Sequence, residues 1–351
     1  MRYTLSPTWS SEATRRPIAQ KAAAPRLVPR GRDALRAVFA AEGWGPGDKV
    51  LVPAFGCPSI ADAALASGLT PVFYPVGGGL ELDAGRVLAV RDGGCLGLVY
   101  INYFGKPQNH KEIGKLRETG LVIIEDATHS LFSDGPEAPW DHRFSSLRKL
   151  LPVPCGCLLE SRRPAETEGQ GRGTMSQKAQ SLLRSAGLRI AAVYQRRPSG
   201  LLKWFLGAFR YGPEAALETE NPMTYVSPAV ARELASADPG EIRGKRRENY
   251  LALLNAIDPA TGLRPVFTVL PAAACPLGLP VTADMPKLWR RALEALDVEA
   301  LPLWSLHPSV DASMFREEKT LADGILVLPC GHHHGPDDMK RIAELVNGLA
   351  G

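Results

Sequence analysis

Along the first third of the chain, short and almost wholly apolar runs alternate with longer segments whose apolar residues recur every three or four positions. The runs are residues 49–53, 70–74, 96–101 and 121–125. Between them, residues 33–41 put Ala34, Leu35, Val38 and Phe39 on one helical face, and glycines and a proline stop the pattern at 43–47. Residues 59–67 predict an Ala-rich helix ended by Gly68, and residues 109–118 a helix with a polar face. Strands that are apolar on both faces and separated by helices predict an α/β fold with a parallel sheet covered on both sides. Ligands of such sheets bind beyond the carboxyl ends of the strands. Phe55, Tyr103 and Asp126 fall at those ends.

The pattern loosens afterwards. Residues 165–173 are polar and Gly-rich, as an exposed loop would be, and residues 196–213 carry Leu201, Trp204, Phe205, Phe209 and Tyr211, which predicts a core or subunit-interface helix. From 241 a long charged helix to 257 leads into a Pro-rich region. Helices at 289–296 and 337–349 flank a short strand at 325–328, an α+β segment. The expected organisation is an N-terminal arm (1–28), a large domain (29–240) and a small C-terminal domain (241–351).

Composition narrows the class. The chain has 351 residues, of which 45% are hydrophobic and 22% charged, with a net charge of +4, the balance of an ordinary globular protein. Its one basic cluster, Arg243, Lys245, Arg246 and Arg247, is followed by Glu248 and reads as a solvated helix face, with no nucleic-acid-binding motif beside it. Six cysteines in a chain this long predict free thiols in a reducing compartment. Residues 1–30 are basic, with Glu12 the only acid, and lack the apolar core of a secretory signal. No run reaches membrane-spanning length. The cytoplasm is the expected location, with neither membrane nor nucleic acid as partner.

Chemistry concentrates around Asp126 and Lys149. The run at 121–125 delivers Asp126 to a sheet edge, with His129 three residues on. Lys149 stands among Leu147, Leu150, Leu151 and Val153, so that partial burial would lower its pKa. Ser146 lies three positions before it. A Ser-x-x-Lys pair also occurs in serine acyl-enzymes, but those need Ser-Asp-Asn and Lys-Thr-Gly downstream. Here the nearest match, Ser133-Asp134-Gly135, lies upstream and Lys-Thr-Gly does not occur. A lysine that can condense with an aldehyde, and a carboxylate that can keep a pyridine nitrogen protonated, are what pyridoxal phosphate requires. Gly31 and Arg32 open the first helix, whose N-terminus suits a phosphate. Cys155 and Cys157, together with Cys330 and His332 to His334, have metal-ligand chemistry in an unsuitable spacing, and the His run reads as an exposed turn. No metal is expected.

The ordered motifs resemble the DegT/DnrJ/EryC1/StrS family of sugar aminotransferases, pyridoxal phosphate enzymes of fold type I. The matching segments are Gly31-Arg32-x-Ala34-Leu35, Pro46-Gly47-Asp48-x-Val50-Leu51-Val52-Pro53-Ala54-Phe55, Gly68-x-x-Pro71-Val72-Phe73, Tyr103-Phe104-Gly105-x-Pro107, Ile124-Glu125-Asp126-Ala127-x-His129-Ser130 and Ser146-Leu147-Arg148-Lys149-x-Leu151-Pro152. The likeness continues to Arg246-Arg247-x-Asn249-Tyr250 and Leu328-Pro329-Cys330. It implies that Lys149 holds the cofactor and shuttles a proton, that Asp126 pairs with the pyridine nitrogen, and that His129 stands beside the ring. Ser146 and the backbone at Gly31 and Arg32 would hold the phosphate, and Phe55 or Cys57 would stack on the ring. The resemblance also implies a homodimer, an amino donor such as glutamate or glutamine, and a keto-sugar acceptor, nucleotide-linked in this family. The chain departs from the family pattern at Arg32, at Cys155-Gly156-Cys157 and at Asn102-Tyr103. The competing class keeps the fold without transamination, as a dehydratase or a sugar-nucleotide binder. Family dehydratases typically replace the lysine with histidine, so Lys149 argues against that class.

Overall fold

The computed structural model describes residues 3–5, 23–134, 138–163, 174–196, 199, 201 and 225–349. The loop expected at 165–173, most of the apolar stripe at 196–213 and most of the N-terminal arm lie outside these residues.

Seven strands form the main sheet: β1 (Ala23–Val28), β2 (Lys49–Pro53), β3 (Thr70–Tyr74), β4 (Cys95–Ile101), β5 (Val122–Asp126), β6 (His142–Ser146) and β7 (Cys157–Ser161). Their order is β1-β7-β6-β5-β4-β2-β3. Strands β2 to β6 pair in parallel, whereas β7 runs antiparallel to both its neighbours, β6 and β1. A parallel pair needs a crossover long enough to return the chain to the same edge. Helices α2 (Ser59–Ala66), α3 (Ala84–Val90) and α4 (His110–Glu118) supply it between successive strands from β2 to β5. α1 (Gly31–Ala41) lies between β1 and β2, and buries the Ala34, Leu35, Val38 and Phe39 face that its sequence marks. All five residues of β5 are buried, as expected of a strand covered on both faces.

The sequence pattern misses β6 and β7. His142, Arg143, Ser145 and Ser146 make β6 read as polar, yet it is held between β5 and β7 and mostly buried. The pairings it makes at its end, rather than its hydrophobicity, place it there.

Beyond α5 (Met175–Arg196) and α6 (Pro228–Ser236), the long α7 (Pro239–Ala256) leads to a second sheet of order β10-β9-β8, from β8 (Arg264–Pro265), β9 (Gly278–Thr282) and β10 (Ile325–Pro329). α8 (Pro286–Ala295), α9 (Arg316–Gly324) and α10 (Pro336–Gly348) complete this part. Its core joins Tyr250 and Leu253 of α7, Leu279 and Val281 of β9, Leu326 and Leu328 of β10, and Ile342 and Val346 of α10. The two sheets meet through a polar clip. The N–H groups of Val76 and Gly77 both donate to Glu318 Oε1 at 2.8 Å, and Gly78 N–H donates to Glu317 Oε2 at 2.9 Å.

Two expectations about charged groups are corrected here. The basic run on α7 is not uniformly solvated: Arg246 is fully buried, in line with Ile242, Asn249, Tyr250 and Leu253 on one helical stripe. Its guanidinium donates to the carbonyls of Pro276 and Leu277 at 3.1 and 3.0 Å and to His332 Nδ1 at 3.1 Å. The His run is not an exposed turn either. His334 Nε2 meets the Thr4 carbonyl at 3.0 Å and His333 Nε2 meets Thr4 Oγ1 at 3.4 Å, so residues 3–5 cover it. Among the described residues, no group of three His, Cys, Asp or Glu side chains is placed to hold a metal ion, and no helix is long and apolar enough to cross a membrane.

Candidate active site

One pocket opens at the carboxyl edge of the main sheet, where β4, β5 and β6 end side by side. Register aligns Ile101 with Asp126 and Asp126 with Phe144. Successive side chains of a strand point to opposite faces. Ile101 and Asp126 therefore line this pocket, whereas Tyr100, Asn102 and Glu125 line a separate cavity on the other face, where Asn102 Nδ2 donates to Glu125 Oε1 at 2.7 Å.

Asp126 is held by the turn that follows it. Thr128 N–H donates to Oδ1 at 2.9 Å, Ala127 N–H donates to the Phe144 carbonyl at 2.8 Å, and Ser145 Oγ returns a hydrogen bond to the Ala127 carbonyl at 2.9 Å. Burial pushes the Asp126 carboxyl up to about 6, against the pull of the Thr128 hydrogen bonds and the charge of Lys149. His129 is driven the other way, down to about 3, by burial and then by Lys149. It is a neutral ring at neutral pH.

Lys149 ends a 3-10 turn, Leu147–Lys149, that continues directly from β6. The turn is pinned from two sides. Ser146 N–H donates to Thr128 Oγ1 at 3.2 Å, which ties it to the Asp126 turn. Leu147 N–H donates to the Gly156 carbonyl at 2.9 Å, and Gly156 N–H donates to the Pro29 carbonyl at 2.8 Å, just before α1. Gly156 sits at φ +112°, and a Cβ there would approach Val230 Cγ1 to 2.7 Å. The glycine of Cys155-Gly156-Cys157 is thus required by both conformation and space, whereas both cysteines are buried in the core.

The fourth side is the N-terminus of α1. Arg30 is its N-cap and is locked on Asp33 by two hydrogen bonds of 2.7 and 2.8 Å. The Arg30 side chain does not cap this end, and Gly31 and Arg32 lie in the pocket lining. Gly31 lets the helix start against the Phe144 ring, which a Cβ would meet at 3.3 Å. Such an end carries partial positive charge and suits an anion.

Gly31, Arg32, Cys57, Asp126, His129, Ser146 and Lys149 all line this one pocket. Phe55 does not. It is fully buried behind the wall, its carbonyl accepting from the Tyr103 hydroxyl and its ring 6.0 Å from Tyr103 and 5.8 Å from Trp304. Of the two candidates for the ring stack, Cys57 therefore lines the cavity and Phe55 does not. Sequence reasoning missed Thr128, Arg148 and above all Trp304. Thr128 had a signal, as a side-chain donor and acceptor two residues past the acid. Trp304 had none: it comes from a Pro-rich segment more than 150 residues downstream in the chain.

A family model, the DegT/DnrJ/EryC1/StrS aminotransferase family, matches residues 27–136, which include α1 and the Asp126 turn. This stretch is similar to that family. No curated protein matches the chain in sequence. Solved structures match over almost its whole length. TlmJ, an aminotransferase from Streptoalloteichus hindustanus, is 21% identical with a TM-score of 0.67, covering 92% of this chain and 85% of its own. DesI, solved in the presence of its TDP-sugar product, is 19% identical with a TM-score of 0.68, over 94% and 81%. NtdA from Bacillus subtilis, solved with bound cofactor PMP, is 12% identical with a TM-score of 0.65, over 94% and 74%. At these identities the likeness establishes the fold, that of the fold type I aminotransferases.

The donor set of this pocket fits pyridoxal phosphate. A buried carboxylate whose charged form is disfavoured gains from a facing pyridinium. An amine stands on the neighbouring turn, and a helix N-terminus with Ser146 in the same lining suits the phosphate.

Proposed function

We propose that this chain is a pyridoxal-phosphate-dependent aminotransferase that moves an amino group from an amino-acid donor, such as glutamate or glutamine, onto the keto group of a sugar. The observation that carries this reading is the convergence of Asp126, Lys149, Ser146 and the α1 N-terminus on one pocket. When bound, pyridoxal phosphate supplies an electron sink for the carbon that carries the amino group. Asp126 holds a proton at the pyridine nitrogen. Lys149 anchors the cofactor through Nζ and afterwards carries a proton at the substrate carbon. His129, neutral, orients without exchanging protons. Ser146 and the Gly31–Arg32 backbone bind the phosphate. Ile101, Phe144 and Trp304 exclude water.

A nucleotide-linked acceptor is the finer part of the proposal, and the TDP-sugar product of DesI supports it. We extend the same reading to a homodimer, to the division of the chain at residues 28 and 240, and to a cytoplasmic location. Of the alternatives, a sugar-nucleotide binder predicts a colourless protein, whereas a pyridoxal phosphate protein with a non-transaminase activity predicts the chromophore without amino transfer. The test is the absorption spectrum of the purified chain. A visible band that borohydride bleaches is expected in wild type and absent in Lys149→Ala. A wild type that stays colourless after incubation with pyridoxal phosphate would sink the reading. Amination of keto-sugar nucleotides with glutamate then separates enzyme from binder.

A further inference from the structure

Trp304 lies outside the matched family segment, in the loop between α8 and α9, yet it lines the same pocket as Asp126 and Lys149. Its indole lies parallel to the His129 imidazole, 5.1 Å between centroids and 6° between planes. Phe104 is stacked with both, at 5.6 Å from His129 and 6.1 Å from Trp304. Phe55 and Tyr103 meet the indole edge-on at 5.8 and 6.4 Å, each at 62°. The tryptophan is therefore fixed by two ring edges and turns its face to the histidine.

The histidine has a further tie. Phe104 N–H donates to His129 Nδ1 at 3.3 Å, which makes Nδ1 an acceptor and puts the single ring proton of neutral histidine on Nε2. Phe104 can do this because it adopts φ +52°, followed by Gly105 at +93°. A Cβ on Gly105 would fall 2.0 Å from the Cys275 carbonyl oxygen.

We propose that Trp304 is a positioning residue of the cofactor pocket: its indole clamps the His129 ring against Phe104 N–H, so that His129 presents one fixed Nε2–H donor. This extends the pyridoxal phosphate reading to a residue from the second sheet's part of the molecule. Leu301, three residues earlier, pairs with Val327 of β10, so the clamp moves with that sheet. The charged and titratable groups that share the pocket lining with the imidazole are Asp126 from β5, Arg148 and Lys149 from the 3-10 turn, Arg30 and Arg32 at α1 and Cys57 after β2, with Tyr103 beside the indole. Removing the indole would let water reach one face of the ring, and its titration would move back towards that of ordinary histidine.

The test starts without cofactor. Nitrogen-15 NMR of histidine-labelled apo protein, with His129→Gln to identify the signal, is followed from pH 5 to 8 in wild type, Trp304→Phe and Trp304→Ala. Wild type and Trp304→Phe are expected to keep the Nε2–H tautomer with no titration above pH 5. Trp304→Ala is expected to titrate within that range or to mix tautomers. Should Trp304→Ala lack the near-ultraviolet circular dichroism of a folded protein, Trp304→Leu replaces it. A wild-type His129 that titrates near pH 6.5, or a folded variant without the indole that behaves as wild type, overturns the clamp. In a second arm, pyridoxal phosphate binding followed by absorbance is expected to weaken about tenfold in Trp304→Ala and to stay near wild type in Trp304→Phe. Equal weakening in both variants would also overturn it. Failure of wild type to bind pyridoxal phosphate removes the functional reading, and the apo NMR still decides the clamp.

Discussion

The residue whose chemistry depends most on its surroundings is Asp126. Its carboxyl is buried at a strand end with one backbone donor, so its proton is held up to about 6 rather than near 3.8. A folded-state pKa raised in this way stabilises the apo protein below the unfolded value, and that stability is lost as pH rises through the folded value. The wild-type apo protein should therefore lose at most about 3 kcal/mol from this group between pH 4 and pH 7. Asp126→Asn removes the loss, and in urea unfolding of the two apo proteins the variant should gain on wild type as pH rises. The same substitution takes away the proposed partner of the pyridine nitrogen, and on that proposal transamination should fall on the order of 10²–10⁴-fold. An Asn variant that is destabilised at pH 7 relative to pH 5 would mean that the burial argument is mistaken.

At the scale of elements, what the sequence makes legible is periodicity. The apolar runs at 49–53 and 70–74 coincide with β2 and β3, and the runs at 96–101 and 121–125 come within a residue of β4 and β5. α1 buries the face its spacing marks. Elements set by pairing instead of by burial on two faces were invisible. β6 is written in His, Arg and Ser, β7 ends in Glu160 and Ser161, and α3 is only seven residues long. The candidate site was legible to the extent that it sits at strand ends: Asp126 and Ser146 end β5 and β6, and His129 and Lys149 each come three residues later. Phe55 and Cys57 stand two residues apart after β2, one in the core and one on the cavity, a difference no periodicity marks, and Trp304 gave no local pattern. Gly156 belongs to this scale too. Gly156→Ala must hold an L residue at φ +112° and push Val230 away, so a cost of about 1–3 kcal/mol is expected from the backbone alone. Combining it with Val230→Ala should recover the contact but not the backbone part, which a thermal-unfolding series of the two single variants and the double would resolve.

For the whole molecule, the buried histidines set the acid limit. His332 and His333 are held well below the ordinary histidine value and His334 below it, chiefly by burial, and Arg246 adds a positive neighbour. A folded pKa depressed below the unfolded one leaves stability intact above about 6.5, and stability is lost as pH falls because the unfolded chain takes up protons first. The protein should lose stability steadily below pH 6.5, with residues 3–5 released from Thr4's contacts as part of that loss. Hydrogen exchange at Leu5, whose N–H donates to Glu299 Oε2 at 2.6 Å, would report it. Exchange at Leu5 that is no faster at pH 5, after correction for intrinsic rates, would contradict this account. His129 and Asp126 act in opposite directions over the same range, so their contributions partly cancel between about pH 4 and pH 6.

Gly156 does more than permit a turn. Through its carbonyl it takes the N–H of Leu147, and through its N–H it reaches the carbonyl of Pro29. One residue thus spans from the segment that carries the amine to the segment that opens the helix proposed to take the phosphate. The separation between these two attachment points is a property of the backbone and does not change with side-chain rotamers. The pocket consequently works as a gauge of length. A ligand whose reactive carbonyl and phosphate stand at the matching span satisfies both ends together. A shorter or longer phosphorylated aldehyde must give up one of them.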